Sequence, residues 1–335
     1  MKLAHLAVIA PHRTGLYGTA RDIVKAECAL KADARLVDPY RPRVGTADGV
    51  PIHGHQWACE ADVWVSHSGT FPHLAPHGKP VIHVMHGRPY SSFLLGLMGK
   101  VMPYEYLQRQ INDPDYKAFV TLWPEFMPYW RHIIPPEKLH CANPPVDLEE
   151  WKPDGPDGYG FGGKAAEINI VITDQWREDR NPAEAIHAFS LYAETVKGAR
   201  LHIYGAPVKN KGFISILKPL ARRNCLGEVR GFVSGLAHVY RRADAVITPH
   251  RIATRTVREA LACGCQVVMS PGNTYTPYVA PVEEIENFAH QIDIAVGQVK
   301  TDRAARRAAN RAVAEKCFNP ADTAKTFLTI AAAQI

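Results

Sequence analysis

Thr254-Arg255-Thr256-Val257-Arg258-Glu259-Ala260-Leu261-Ala262, followed by Cys263-Gly264-Cys265-Gln266-Val267-Val268-Met269-Ser270, decides the fold. Residues 254–262 have helical spacing and 266–270 form a short apolar run, so a helix feeds a strand. Ala245 to Thr248 is a strand just upstream. Strand, helix, strand in that order is the unit of a parallel sheet wrapped by helices. The same alternation fills the second half back to its start. Ile168 to Thr173 is a strand, and Pro182 to Val196 a helix opened by Asn181 with Pro182 in its first turn. Arg200 to Gly205 is a strand, Ile214 to Arg223 a helix, Glu228 to Gly231 a strand and Leu236 to Arg242 a helix.

The first half repeats the pattern. Lys2 to Ala10 reads as a strand, a loop carrying Gly15 and Gly18 follows, and Thr19 to Lys31 has helical spacing. Asp62 to Ser66, Pro80 to Met85, Ala118 to Leu122 and Leu139 to Ala142 make further strands. Between the halves, Asp154-Gly155-Pro156-Asp157-Gly158-Tyr159-Gly160-Phe161-Gly162-Gly163 loses periodicity and reads as a linker or exposed loop. The expected organisation is an α/β domain over 1–150, a second over 151–318 and a C-terminal helix over 319–335 that packs back on the first. Two such open sheets place a ligand between them, at the carboxyl ends of the strands.

With 335 residues the chain is long enough for two cores. Hydrophobic residues at 46% and charged residues at 21% exclude disordered, fibrous and coiled-coil classes. Met1-Lys2-Leu3-Ala4-His5 runs into a strand pattern instead of a signal peptide, and no apolar run approaches the roughly 20 residues of a membrane span. A soluble, cytoplasmic protein is expected. Seven cysteines without framework spacing read as reduced thiols, and Cys263-Gly264-Cys265 has no partner pair for zinc. Residues 1–150 hold 15 Lys+Arg against 15 Asp+Glu, leaving 24 against 18 downstream, so the whole excess of +6 lies in the second half. That balance suits a phosphorylated small molecule better than a nucleic-acid surface.

Several segments together resemble a known family. Asn143-Pro144-Pro145-Val146-Asp147-Leu148-Glu149-Glu150-Trp151-Lys152-Pro153 is similar to the Asn-Gly-Val-Asp…Phe-x-Pro segment joining the two domains of retaining family 4 glycosyltransferases. Arg180-Asn181-Pro182 resembles their Lys-Asn-Pro helix start, and Leu201-His202-Ile203-Tyr204-Gly205 the glycine-terminated strand that follows. Gly231-Phe232-Val233, Tyr240 and Ala243-Asp244-Ala245-Val246-Ile247-Thr248-Pro249 resemble the next block. Arg258 to Val268 is close to the family's Glu-Ala-Met-Ala-Cys-Gly-x-Pro-Val-Val signature. The resemblance covers about residues 1 to 275 and implies the GT-B architecture, two Rossmann-like domains facing a cleft. It also implies transfer of a sugar, with retention, from a nucleoside-diphosphate sugar, a UDP-sugar first, to a hydroxyl acceptor.

A diphosphate is best held by helix N-termini together with Arg or Lys. One such helix opens after Arg177 and Arg180, the other after Thr254-Arg255-Thr256. The family's arginine and lysine before the first helix bind the diphosphate. Here Arg180 takes the lysine position, and Arg177 substitutes for an arginine whose place falls near Gln175; otherwise the two are solvated loop charges. The resemblance implies that Glu259 accepts hydrogen bonds from the ribose hydroxyls, the alternative being a plain N-terminal helix charge. Eight residues earlier, where the family has a second glutamate touching the donor sugar, this chain has Arg251. That departure opens altered donor choice or lost catalysis. Gly231, Phe232 and Val233 lie where the family holds the base.

Gly15 and Gly18 permit close backbone approach to a phosphate or sugar. A third glycine and a Gly-Lys-Ser/Thr loop are both missing, so dehydrogenase and ATPase readings fall away. His86, in Val84-Met85-His86-Gly87, resembles the family histidine that contacts the donor sugar, and is the catalytic residue the resemblance implies. His67, in Ser66-His67-Ser68-Gly69, is a candidate acceptor contact. Front-side transfer in this family lets the leaving diphosphate help take the acceptor proton, which needs charge stabilisation more than a nucleophile. Asp113-Pro114-Asp115 reads as a turn, so no metal and no cofactor beyond the nucleotide-sugar cosubstrate is expected.

The acceptor stays open. Ser92-Phe93-Leu94-Leu95-Gly96-Leu97-Met98-Gly99-Lys100 is apolar enough to touch a membrane, or is a buried helix. The stretch Trp123-Pro124-Glu125-Phe126-Met127-Pro128-Tyr129-Trp130 suggests an unusual acceptor, one candidate being a hydroxymethylated base in viral-type DNA, as in a phage-type DNA-modifying enzyme. Such a base has to be flipped, with phosphates gripped by residues such as Arg13, Arg88, Arg109 and Arg131. A cell-envelope saccharide or lipid acceptor, and a non-catalytic nucleotide-sugar binding module, are the alternatives.

Overall fold

Each of two units is built on its own open sheet: Met1–Pro145 with Asn319–Ile335 form one, Val146–Phe318 the other. The computed structural model describes residues 1–9, 15–41, 43–67, 78–86, 104–155, 160–174, 182–248, 250, 252–269 and 285–335.

The first unit contains β1 (Lys2–Leu6), α1 (Gly15–Ala29), β2 (Asp33–Val37), β3 (Gly45–Ala47), β4 (Val50–His53), α2 (His55–Cys59) and β5 (Val63–Ser66). It continues with β6 (Val81–Met85), α3 (Tyr104–Asn112), β7 (Tyr116–Thr121), α4 (Met127–Trp130) and β8 (Leu139–Cys141). The strand order is β3-β4-β2-β1-β5-β6-β7-β8, parallel throughout except where β3 meets β4. The second unit contains β9 (Ile168–Ile172), α5 (Pro182–Thr195), β10 (Ala199–Ile203), α6 (Lys211–Arg222), β11 (Leu226–Val229), α7 (Ala237–Arg242) and β12 (Ala245–Ile247). Then come α8 (Arg255–Ala262), β13 (Val267–Val268), α9 (Ile285–Thr301) and α10 (Arg303–Cys317). Its order is β11-β10-β9-β12-β13, all parallel. The order reverses between β1 and β5 and again between β9 and β12, which puts the ligand-binding crevice of each sheet at the carboxyl ends of those strands.

Strand β9 shows why the run Ile168-Asn169-Ile170-Val171-Ile172 is apolar on nearly every residue. Ile168, Ile170 and Ile172 pack in one core cluster with Phe189 and Ile292, while Val171 packs in a second with Tyr240 and Leu261. A parallel strand covered on both faces cannot alternate apolar with polar.

The boundary between units falls at Pro145/Val146, five residues before the expected 150/151. Val146 is fully buried beside Trp151 and Phe161, and its N–H donates to Phe318 O at 3.0 Å, which ties it to the second unit. The chain leaves that unit at Asn319, whose side chain caps α11 (Pro320–Ala332), and α11 packs on α1. Residues 154–163 do not join the units. They lie within the second, where Phe161 is 1% exposed with φ 49° and stacks on His202 at 4.0 Å. Gly162 and Gly163, at φ 55° and 75°, turn the chain around that buried ring, so this part of the glycine-rich stretch is a fixed turn. Among the described residues no helix is long and apolar enough to cross a membrane.

His202 on β10 has its tautomer set by its neighbours. The Glu228 N–H donates to Nδ1 at 3.1 Å, and Nε2 lies 3.1 Å from Asn169 Oδ1, which already accepts from the Ala166 N–H. Nδ1 must therefore stay unprotonated. Burial pushes His202 down to about 3 from the usual 6.5, and His83 on β6 down to about 4. Below pH 6.5 the unfolded chain binds these protons and the folded chain does not, so stability falls as pH falls towards 4 and then 3. Thermal unfolding at stepped pH should show this loss, approaching about 1.4 kcal/mol per pH unit for each such histidine. His202→Gln should flatten the dependence, and an unchanged slope would contradict the assignment.

Candidate functional site at the strand ends

In the second unit, β9 runs on into Thr173 and Asp174, and β12 into Thr248. Asp174, Thr248 and His250 are buried together. Thr248 Oγ1 donates to Asp174 Oδ2 at 2.7 Å, and His250 Nε2 meets Asp174 Oδ1 at 2.9 Å. Tyr240 reaches the same edge, its hydroxyl 2.9 Å from Thr173 Oγ1. Gly205, at the end of β10, has φ 82°, and a Cβ there would stand 2.8 Å from Asp174 O. The end of the strand is closed so tightly that only glycine fits.

Helix α8 enters this edge. Its N-cap, Thr254, has a buried Oγ1 with no hydrogen-bond partner among the described residues. A buried hydroxyl left unpaired costs free energy, and ligand oxygens at a helix N-terminus are what such a group is suited to meet. Of the residues expected to meet phosphate, Arg255 directs Nε to Glu259 Oε1 at 2.5 Å, and Thr256 Oγ1 donates to Thr173 O at 3.4 Å. Each of these two side chains thus makes an internal contact at this edge. Glu259, 7% exposed, sits in the helix body with one oxygen on Arg255.

Phe232 and Val233 follow β11. The carbonyls of Arg230 and Gly231 accept from the N–H groups of Ala206 and Gly205, which fixes this segment beside β10 and leaves the Phe232 ring 56% exposed. Glu228 is buried between the Tyr204 hydroxyl, at 2.7 Å, and Arg230 Nε, at 2.5 Å. Arg177, Arg180 and Arg251 lie outside the described residues.

In the first unit Gly15 and Gly18 do not flank a loop. Helix α1 begins at Gly15, Gly18 is buried within its first turns, and Thr19 Oγ1 donates back to Gly15 O. His67 follows β5 and His86 follows β6. They meet each other, His67 Nδ1 lying 3.0 Å from His86 Nε2, and the row continues inwards with His67 Nε2 2.9 Å from His5 Nδ1. His5 Nε2 then stands 2.7 Å from Glu27 Oε2, and His5, His67 and Glu27 have no exposed surface. Burial first, and then the neighbouring His5, His86 and His83, hold His67 well below its ordinary value, so the ring is neutral. A fully buried His67 is an inner member of this row, which replaces its expected role of touching an acceptor directly. Arg13, Arg88 and the segment 92–100 lie outside the described residues.

The aromatic stretch read as an acceptor feature is anchored in the core at its two ends, with Tyr129 exposed between them. Trp123 and Trp130 are 6% and 4% exposed, and Trp130 packs with Trp57, Trp64 and Phe119. Arg131 is exposed, and Arg109 is in the last turn of α3. Asp113 and Asp115 form the expected turn, with the Asp115 N–H donating to Asp113 Oδ1 and Asp115 Oδ2 accepting from the Gly78 N–H. Among the described residues no three metal-ligating side chains converge. His5, Glu27, Asp174 and His250 escaped the sequence reading. The signal for the first two was a histidine inside the apolar run Leu3-Ala4-His5-Leu6 and a glutamate three residues beyond Val24 on the helix face that also carries Ile23.

No family model and no curated protein sequence matches the chain. Solved structures do. The Anabaena protein HepE in complex with UDP-glucose superposes with a TM-score of 0.74 over 99% of this chain and 100% of that one, at 14% identity. The sucrose-phosphate synthase of Thermosynechococcus elongatus gives 0.68 over 99% and 97%, at 13% identity. An α-glucosyltransferase in complex with UDP and a 13-mer DNA containing an HMU base gives 0.69 over 99% and 99%, at 10% identity. The fold is that of the GT-B glycosyltransferases.

Replacing Gly205 by alanine should destabilise the second unit by at least about 1 kcal/mol, because the residue must hold a left-handed backbone and its methyl meets Asp174 O. A melting temperature equal to that of the parent would show that β9 and β10 can part at no cost.

Proposed function

We propose that the protein is a metal-independent retaining glycosyltransferase that moves a sugar from a UDP-sugar to a hydroxyl acceptor. The observation that carries this reading is the carboxyl edge of the second sheet. There the buried hydroxyl of Thr254, without a partner among the described residues, caps α8, and the partly exposed Phe232 follows β11, on segments where the signature residues of the resembled family bind nucleotide and phosphate. In this reading Phe232 and Val233 border the base, Glu259 takes the ribose, and the α8 N-terminus with Arg180 and Arg177 takes the diphosphate. Arg255 supports Glu259 and Thr256 braces Thr173. Gly15 and Gly18 bring the start of α1 to the donor, His86 meets the transferred sugar, and Arg251 shapes donor choice.

Two of the structural neighbours support the choice of donor and one that of acceptor, since HepE is seen with UDP-glucose and the α-glucosyltransferase with UDP and DNA containing an HMU base. A hydroxymethylated base in DNA is accordingly the acceptor to test first, with Arg13 and Arg88 as phosphate contacts. Saccharide and lipid acceptors are the competing outcomes.

Incubation with a panel of nucleotide sugars, followed by measurement of nucleotide release, tests the class. Binding without hydrolysis or transfer for every donor and acceptor would instead mark a nucleotide-sugar binding module with Arg251 in the place of a glutamate. Arg180→Ala should weaken UDP binding by about 1 to 3 kcal/mol, the loss of a hydrogen bond to a charged group, and unchanged affinity would leave Arg180 a surface charge.

The acceptor is tested by transfer of labelled sugar to unmodified DNA, hydroxymethylated DNA, saccharides and lipid extracts at two salt concentrations. Duplex binding should weaken with salt by about 0.9 in log K per log salt for each neutralised phosphate. Incorporation only into saccharide or lipid would eliminate the DNA reading.

A further inference from the structure

Register places three histidines on one face of the first sheet. His5 on β1 pairs with Val65 on β5, and Val65 pairs with Ile82 on β6. Side chains two residues apart share a face, so His67, two beyond Val65, and His86, four beyond Ile82, lie on the face of His5. Each strand thus advances the row by one step toward the carboxyl edge. Helix α1 sets Glu27 at the inner end, and α11 closes over His5 with Phe327, ring centroids 6.5 Å apart.

We propose that Glu27, His5 and His67 are positioning residues that fix the tautomer of His86 and carry its charge inward along this row. This rests on the reading of His86 as the group at the transferred sugar. Glu27 has no exposed surface, and neither its oxygens nor His5 Nε2 has an aligned hydrogen bond to any described group, so the ion-pair contact of Glu27 Oε2 with His5 Nε2, at 2.7 Å, is what each has for a partner. An oxygen and a ring nitrogen this close need a proton between them, which the row carries on His5 Nε2. His5 Nδ1 is then an acceptor and takes the proton of His67 Nε2, so His67 Nδ1 is an acceptor in turn and takes that of His86 Nε2. The buried carboxylate leaves His86 Nδ1 as the basic nitrogen.

The proton ledger closes. A proton arriving at His86 Nδ1 lets the His86 Nε2 proton pass to His67 Nδ1 and the His67 Nε2 proton to His5 Nδ1. One proton has entered, both hydrogen bonds have reversed, and the positive charge rests on His5 beside the Glu27 carboxylate. Other titratable groups near the row are Cys28 on α1, whose thiol is raised by burial and by Glu27, and His83 on β6, which is neutral down to about pH 4. Neither interrupts the sequence of contacts. Apolar residues would fill the same space without the several kcal/mol that burying ionisable groups costs, so packing alone does not account for the row.

Ring-nitrogen NMR of the 15N-labelled, ligand-free protein near neutral pH tests this apart from any transfer assay. His86 is expected as a single tautomer protonated at Nε2. Glu27→Gln offers both a donor and an acceptor to His5, so it should turn His86 into a tautomer mixture and lower kcat by about 10- to 100-fold with donor KM unchanged. His5→Gln, which breaks the row at β1, supplies the same readout should the first variant not fold. A His86 protonated at Nδ1 in the parent, or unaltered by both substitutions, would overturn the proposal. A correct tautomer pattern in a protein that transfers no sugar would leave the row standing and remove the transferase reading.

Discussion

A buried carboxylate needs a counter-group within hydrogen-bond distance, and this chain places such pairs along and beside its central strands. Glu27 has His5, Asp174 has His250 and Thr248, and Glu259 has Arg255. Breaking a pair of this kind by removing one partner is costly, because the remaining group stays buried. The requirement therefore fixes more than the pairs themselves. It holds α1 against β1, closes β9 onto β12, and keeps α8 oriented so that its first turn and Thr254 stand at the strand ends. Fold and candidate site are specified by the same contacts.

That coupling explains what the sequence disclosed. The second unit was legible because its strands are buried on both faces, and continuous runs such as 168–172 have no other comfortable conformation. Strand β2 was not. Asp33-Ala34-Arg35-Leu36-Val37 is short and half charged, and its polar members are satisfied sideways: Arg35 Nε meets Asp33 Oδ1 at 2.9 Å, and the guanidinium lies 4.4 Å from the Trp57 ring centre. Helix α10 escaped for a different reason. It buries only Asn310 and Ala314, so it has no apolar stripe to detect. At the site, Glu259 and His86 could be found because they stand within recognisable segments. His5 and Glu27 could not be linked, since sequence separation hides a contact that only the β1–β5 register creates.

The basic excess of the second half also changes meaning once side chains are placed. Arg311 Nη1 donates to three carbonyls, those of Leu148, Trp151 and Ala262. Arg307 binds Arg241 O, Arg241 binds Lys152 O, and Arg303 pairs with Asp244. These guanidiniums satisfy helix ends and loop carbonyls that would otherwise be unpaired. Much of the charge that composition assigned to an anionic ligand is thus structural, and the diphosphate reading stands on helix N-termini and on particular residues.

The discontinuity of the first unit follows from how its core is completed. Strand β1 and helix α1 are covered by α11, about three hundred residues away in sequence, and His5 lies under Phe327. Bringing such distant segments together carries an entropic cost that grows only slowly with loop length, by about 0.6 kcal/mol per doubling, but it must be met before the contacts form. The second unit meets it. Val146–Phe318 is continuous, and its first and last residues are joined by the Val146 N–H to Phe318 O bond. Once it folds, Pro145 and Asn319 emerge side by side, and the effective loop between the two parts of the first unit shrinks from a whole domain to a single hydrogen bond. Thr323 Oγ1 on Asn143 O continues that junction into the first unit. The polar row of Glu27, His5 and His67 is therefore covered by a helix that the chain reaches only after it has traversed the whole of the second unit.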